Sequence, residues 1–549
     1  LYVVFIANSV SCIDDNNFVT VKTLSGTTVR GQTLHVLNRD VHQFLNIPFA
    51  EPPVGDLRFA KPVPIKEPTK DVIDGTKPGN SCIQNLSPEM KQFIGDLQQS
   101  EDCLVLNVWT PSLETTGLKP VMFWIYGGAF SLGSIFQTDY NGSVLATNDV
   151  VFVAANYRVG ELGFLYGAHE SAPGNAGLYD QLLALKWIKD NIESFGGDPN
   201  QVTIFGESAG SMSVSAHLLS PLSKGLFKRA IMQSGSLMFN KDIPASDTVR
   251  ALGKAKQWAQ KLGCDPYDYE WLACLRSIAD PNLFNQLPEN GGLFQVNFPV
   301  FGTEFLPHIP QKAFNKKLYN YDVELIAGAT KDEGPMLAIL LYPILMNPEF
   351  NVTGLTNLVA EINDQLFRNV DVRKAVDYYL QGVDDRTDPV QLRLAFSQLY
   401  GDLLITCPAY RFARLFAANN SPSDNNNNNV WYYRWNYAPT GGPQFMDPKS
   451  LGFPDNTIVH GIDMGFTFGQ PLLEPTLFTE KDYDFTIDII KMWTDFAKFG
   501  NPSKDWPKLL DKTTGAIKVK DLTPDDTKTT RVLDNPFEST CDGVWDYYY

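Results

Sequence analysis

The chain has 549 residues, 44% of them hydrophobic, and carries 45 basic against 62 acidic side chains for a net charge of −17. Such a composition supports a sizeable core and repels phosphate backbones and anionic bilayers, so nucleic acid is not an expected partner. No segment approaches the ~20 apolar residues of a spanning helix, which argues against a membrane span.

The first twelve residues, LYVVFIANSVSC, are an apolar run followed by small residues and read as the remainder of a secretory signal. Residues 13–549 are then expected to form one domain, since no repeat or long linker interrupts them. The one low-complexity piece, SPSDNNNNN at 421–429, reads as a solvated loop tip. There are seven cysteines and no C-x-x-C, so neither a zinc knuckle nor a thioredoxin-type pair is indicated. If Cys12 leaves with the signal, six remain, an even number that reads as three bridges in an oxidising compartment. Sequons at Asn85, Asn141, Asn351 and Asn419 fit the same secreted, extracellular route.

Apolar runs recur at 104–109, 121–126, 150–156, 202–206, 229–234, 323–328 and 430–435. Continuous runs of this kind predict strands buried on both faces of a largely parallel sheet, with helices on either side, an α/β architecture. Two such helices are predicted over 175–195, where Leu178, Leu182, Leu185, Ile188 and Ile192 share a face, and over 482–499, closed by Gly500 and Pro502.

One short stretch carries chemistry. In VTIFGESAG a strand-like run meets Gly206, Ser208 and Gly210, the G-x-S-x-G pattern that seats a serine on a tight strand-to-helix turn. A serine nucleophile needs a base, and only six histidines exist: His35, His42, His169, His217, His308 and His460. His217, nine residues on along the same helix, lies roughly 13 Å from the serine and is too far. In a fold of this type the order is serine, acid, histidine, which favours His460 in TIVHGIDMGF, with His308 as runner-up. The acid is expected after the run at 323–328, where Asp332 and Glu333 are adjacent and spacing does not choose between them. Amides of Gly128 and Ala129 in WIYGGAF, with Ala209 behind the serine, are candidate oxyanion donors. No G-x-G-x-x-G or GK[ST] appears, so no nucleotide is implied.

The constellation resembles the type-B carboxylesterase and cholinesterase family of α/β-hydrolases. The likeness runs from NIPFAEPPVGDLRF (46–59) through SEDCLVLNVWTP, VMFWIYGGAF, NYRVGELGF, TIFGESAG and KDEG to NPFESTCDGVWD (535–546). It implies Ser208 as nucleophile, Glu333 as acid, His460 as base, and Gly128, Ala129 and Ala209 as oxyanion donors. It further implies bridges Cys82–Cys103, Cys264–Cys274 and Cys407–Cys541, and internal ion pairs Arg58–Glu101 and Arg158–Asp180. Glu207 matches the family's extra carboxylate beside the nucleophile, and Leu293 and Phe294 match the acyl-pocket wall. The implied activity is hydrolysis of small esters through an acyl-serine, without metal or cofactor, by a monomer or homodimer.

Two departures bear on specificity. The loop between Cys82 and Cys103 lacks the tryptophan that binds choline in cholinesterases and has only Phe93 as an aromatic, which points to a general carboxylesterase acting on short to medium acyl chains. The same loop has only twenty residues between its cysteines, with polar ones scattered through them, unlike the longer amphipathic lid of a lipase. A third possibility, an adhesion or ester-sequestering protein on the same fold, is disfavoured by the retained Ser208, Glu333 and His460.

Overall fold

The computed structural model describes residues 17–65, 72–285, 297–419, 429–441, 448–524 and 531–549. Residues 1–12, the segment 421–428, Leu293 and Phe294 lie outside these, as does the side chain of Phe93.

The strands of the main sheet are β1 Phe18–Lys22, β2 Thr28–Val36, β3 Arg39–Pro48, β4 Ile73–Asp74, β5 Val105–Thr110, β6 Lys119–Ile125, β7 Val151–Ala155, β8 Gly197–Glu207, β9 Arg229–Gln233, β10 Glu324–Thr330, β11 Val430–Trp435, β12 Lys518–Leu522 and β13 Val532–Asp534. They form one 13-stranded sheet in the order β1-β2-β3-β5-β7-β6-β8-β9-β10-β11-β12-β13, with β4 beside β2. From β7 through β12 every pairing is parallel. On the N-terminal side, β1, β2, β3, β5 and β7 pair antiparallel.

The apolar-run signal works for the parallel centre because those strands are covered on both faces by helices; β7, β9 and most of β10 are buried residue by residue. It also marks β5, fully buried although both its neighbours run antiparallel to it. β1, β2, β3, β4, β12 and β13 lie outside the apolar runs of the sequence. In β2 buried residues alternate with exposed ones, and β13 has no buried residue, so neither presents a continuous apolar run.

The helices that bear on the site are α1 Gly160–Phe164, α2 Ala176–Asn191, α3 Ala209–Leu219, α4 Thr248–Lys261, α5 Gly334–Leu341 and α6 Glu480–Phe499. α2 stops at Asn191 and tightens to a 3-10 turn through Phe195 before Gly196 adopts a left-handed conformation. α6 begins on a capping box in which Thr479 and Asp482 satisfy each other's backbone amides, and ends on left-handed Gly500. No described helix is long and apolar enough to cross a membrane.

Disulfides join Cys82 to Cys103, Cys264 to Cys274 and Cys407 to Cys541. Two ion pairs are buried deeply. Arg58 forks onto Glu101 through Nε and Nη2, both at 2.7 Å, and its Nη1 reaches the carbonyls of Leu275, Arg276 and Ile278. Arg158 forks onto Asp180 at 2.8 and 2.7 Å, and its backbone amide donates to the same carboxylate. Asp180 has no solvent-exposed side-chain surface.

Removing one partner of so buried a pair leaves the other charge stranded, a loss of about 3–5 kcal/mol. Asp180→Ala is therefore expected to lower the urea midpoint of unfolding sharply, while Asp377→Ala, which breaks the exposed Arg373–Asp377 pair, leaves it in place. Equal midpoints for the two variants would contradict this.

Candidate active site

Strand β8 runs into α3 across a single residue, Ser208, held at φ 56° and ψ −123°. A left-handed φ on a serine is costly and persists only where the surroundings over-determine it. Here the elbow is wedged against β6: a Cβ on Gly210 would stand 2.0 Å from the carbonyl oxygen of Ile125, and one on Gly206 2.6 Å from the same atom. Glycine is required at both positions. The Ser208 amide donates to Gln233 O at 2.9 Å and its carbonyl accepts from Met212 N at 2.9 Å, which locks the turn. From Val202 to Ser220, Ser208 alone is not buried. The hydroxyl-bearing residue is thus the one point at which this hairpin of strand and helix meets the surface, at the amino end of an 11-residue helix.

Adjacent to it, the loop leaving β6 carries Gly128, Ala129 and Phe130, all at positive φ (105°, 55° and 57°). Gly128 and Ala129 are partly exposed between buried neighbours. A Cβ on Gly127 would lie 3.0 Å from the Ser208 Cβ, so the two loops are in contact. The amides of Gly128, Ala129 and Ala209 take no described acceptor in backbone bonding. Amides so placed beside a serine are suited to hold an anion developing there.

The structure separates the two carboxylates that spacing left open. Glu333 caps the start of α5, fully buried, with Oε1 accepting from Thr330 N at 2.6 Å and Oε2 2.5 Å from Nδ1 of His460. Asp332 faces the strand side of the same loop: its Oδ2 accepts from Ile458 N at 2.9 Å, and its own amide donates to Ile458 O. Asp332 therefore ties down the segment that carries His460, while Glu333 meets the ring itself. His217 is occupied elsewhere, buried between Ser223 Oγ and Gln181 Oε1, and burial pushes it down to about 3. His308 is lowered first by desolvation and then by the charges of Lys312 and Lys316.

With Nδ1 committed to Glu333, the free nitrogen of His460 is Nε2. It stands 3.0 Å from Glu207 Oε1, in charge contact without hydrogen-bond alignment. No described group, Ser208 included, hydrogen-bonds to Nε2 in this conformation. Glu207 is the residue before Ser208, and a Cβ on Gly127 would lie 2.9 Å from Glu207 Oε2 and 3.0 Å from the Ser208 Cβ, so both residues border the same loop. Catalytic hydrogen bonds of this kind commonly close only when the reacting group is bound.

A third acid, Asp463, was not singled out by the sequence, although it lies three residues past His460. It is buried, with Oδ2 accepting from Gln233 Nε2 at 2.9 Å and from Tyr433 Oη at 3.3 Å. Burial pushes Asp463 up to about 6. Glu207 is pushed up to about 8, by burial first and then by the charges of Asp463 and Glu333, with His460 opposing. For His460 burial pulls downward, but Glu207 and Glu333 together outweigh it and carry the ring up to about 9. The imidazole and Glu207 therefore titrate as a coupled pair: when Glu207 holds a proton, its pull on the ring disappears.

The candidate pocket residues Leu293 and Phe294 lie outside the described residues. Of the sequons, Asn85 and Asn351 are exposed, Asn141 and Asn419 half-buried, and Asn351 also caps the helix Val352–Ile362 through Gly354 N.

A model of the carboxylesterase family matches residues 15–537. The chain is 35% identical to a cholinesterase of Mus musculus over 520 residues, 89% of this chain and 80% of that protein. It is 34% identical to an acetylcholinesterase of Bungarus fasciatus over 505 residues, 88% of this chain and 78% of that one.

Because Glu207 holds the imidazole in its charged form, Glu207→Gln is expected to move the His460 titration to lower pH, away from about 9 and toward the ordinary histidine range. A carbon-detected NMR titration of ring-labelled histidine reads this directly, since only six signals compete. A His460 signal that titrates unchanged, or higher, in the variant would refute the coupling.

Proposed function

The chain belongs to the carboxylesterase family, and from that premise we propose that it is a secreted serine esterase that hydrolyses small carboxylic esters through an acyl-serine. The observation that carries the reading is the 2.5 Å contact of Glu333 Oε2 with His460 Nδ1, which leaves Nε2 as the nitrogen available to act as a base.

In the proposed cycle Ser208 Oγ attacks the ester carbonyl carbon as its proton passes to His460 Nε2. The carbonyl electron pair moves to oxygen, where the amides of Gly128, Ala129 and Ala209 receive it. Glu333 holds the ring and stabilises its cationic form. The intermediate then expels the alcohol, which leaves with the proton from His460. Water repeats the sequence on the acyl-serine, and the acid is released with the hydroxyl restored. Burial raises Glu207, and when Glu207 carries a proton the ring is free to act as a base; ionised, it would hold the ring as a cation.

Chain residues from 13 onward are proposed to act as one catalytic domain. Secretion is supported by the three disulfides and the sequons. Small neutral esters with short to medium acyl groups fit best, because the loop between Cys82 and Cys103 offers no tryptophan face for a quaternary ammonium. Its short helix Pro88–Ile94 packs Met90 and Ile94 into the core, which suits a fixed wall more than a lipase lid. A second reading, choline-ester hydrolysis, is favoured by one observation, the identity to a cholinesterase and an acetylcholinesterase along most of the chain.

The wild-type protein is expected to be labelled covalently by a fluorophosphonate, and Ser208→Ala to abolish the label and lower kcat by roughly 10⁴ to 10⁶. An unlabelled wild-type chain would instead favour the adhesion or sequestering reading. In a series of nitrophenyl esters run beside acetylthiocholine, acetate to hexanoate esters are expected to turn over well and acetylthiocholine weakly. Strong thiocholine turnover saturating at low concentration would establish the second reading.

A further inference from the structure

We propose that Glu161, Lys254 and Asn297 are positioning residues that hold the Gly128–Phe130 loop in its anion-binding form, an inference that rests on the esterase reading above. The loop needs outside support. Ala129 and Phe130 both sit at positive φ without being glycine, a costly conformation that relaxes unless its peptide planes are clamped.

The plane before Ala129 is clamped from within the loop: Gly128 O accepts from Ser131 N at 2.9 Å and Leu132 N at 3.1 Å. In a trans peptide the N–H points opposite to the C=O, so this bonding turns the Ala129 amide outward. The plane after Ala129 is clamped from a distance. Ala129 O accepts from Asn297 N at 3.1 Å, and Phe130 O accepts from Gly160 N at 2.7 Å. Asn297 is itself fixed on both sides of its side chain, Nδ2 donating to Ser131 Oγ at 2.9 Å and Oδ1 accepting from Lys254 Nζ at 2.6 Å.

Lys254, on α4, makes its other contact with Glu161 Oε1 at 2.7 Å. Glu161 is buried, and it follows Gly160, the residue that holds Phe130. The contacts therefore close a ring: Phe130, Gly160, Glu161, Lys254, Asn297, Ala129. A lone buried carboxylate would be costly, so Lys254 has a fixed place to stand, and through it Asn297 does too. Nothing in the acid–base chemistry uses these three residues, yet Asn297 bonds directly to the segment whose amides receive the oxyanion, and Lys254 and Glu161 are tied to it through Asn297 and Gly160.

The test separates positioning from simple stability. Lys254→Met and Asn297→Ala are expected to lower kcat for a nitrophenyl ester by about tenfold, with KM within about twofold, because the lost interaction acts on the oxyanion rather than on the bound ester. Affinity for a trifluoromethyl ketone, whose carbonyl becomes an oxyanion on attack by Ser208, is expected to fall by the same factor. Lys254→Arg is expected to recover to within about threefold of wild type. Lys256→Met, on the same helix but facing Tyr267, is the control and is expected to behave as wild type. Should Lys254→Met fail to fold, the double variant Lys254→Met with Glu161→Gln removes the stranded charge and keeps the test open. Wild-type kcat and ketone affinity in the double variant and in Asn297→Ala would overturn the proposal, as would losses that follow melting temperature without rescue by arginine. A wild-type chain that neither turns over esters nor binds the ketone would bring down the esterase reading itself, and this inference with it.

Discussion

The site depends on how one imidazole is held among buried carboxylates. Glu333 contacts one nitrogen of His460, Glu207 faces the other, and Asp463 lies behind, all with little or no solvent around them. Several anions cannot share a low-dielectric space without something carrying a proton, so the protonation of each is conditional on the rest. Burial raises Glu207 and Asp463, and the same anions raise His460. The charge on the imidazole is therefore conditional on where the protons of Glu207 and Asp463 reside.

Holding that arrangement is a matter of backbone. Neighbouring parallel strands deliver their carboxyl ends to one rim: β6 leads to Gly128 and Ala129, β8 to Ser208, and β10 to Glu333. This is the edge at which open α/β sheets present ligand-binding loops. His460 arrives by a longer segment after β11, and it is there that Asp332 does its service, pairing Ile458 so that the segment runs beside the end of β10. The acid and its neighbour thus act on the same loop from two sides, one on the ring and one on the chain that bears it.

What could be read from the sequence was local. Gly206, Ser208 and Gly210 announce the elbow because the pattern is compact in sequence, although the backbone that excludes a Cβ at both glycines is Ile125 of β6, and the central strands announce themselves because both faces are covered. The outermost strands β1 and β13 did not, nor did β2 between β1 and β3, since few of their residues are buried and none holds an unbroken buried run. Asp332 and Glu333 could not be told apart by spacing, because adjacent residues on a turn point in different directions and only the fold says which meets the ring. Asp463 and Asn297 escaped notice for a related reason. Their partners Gln233 and Ser131 are 230 and 166 residues away, and nothing in the residue types near them signals the contact.

The one-sided placement of the reactive groups has a consequence for how such a protein diversifies. With Ser208, Glu333, Gly128 and Ala129 all emerging past the strand ends of a single edge, the turns on the opposite edge stand apart from all four. Substitutions and insertions there are constrained by folding alone, whereas each loop on the working edge is bound by several partners at once. Change of specificity by lineage is accordingly channelled into the few segments that border the serine without clasping it.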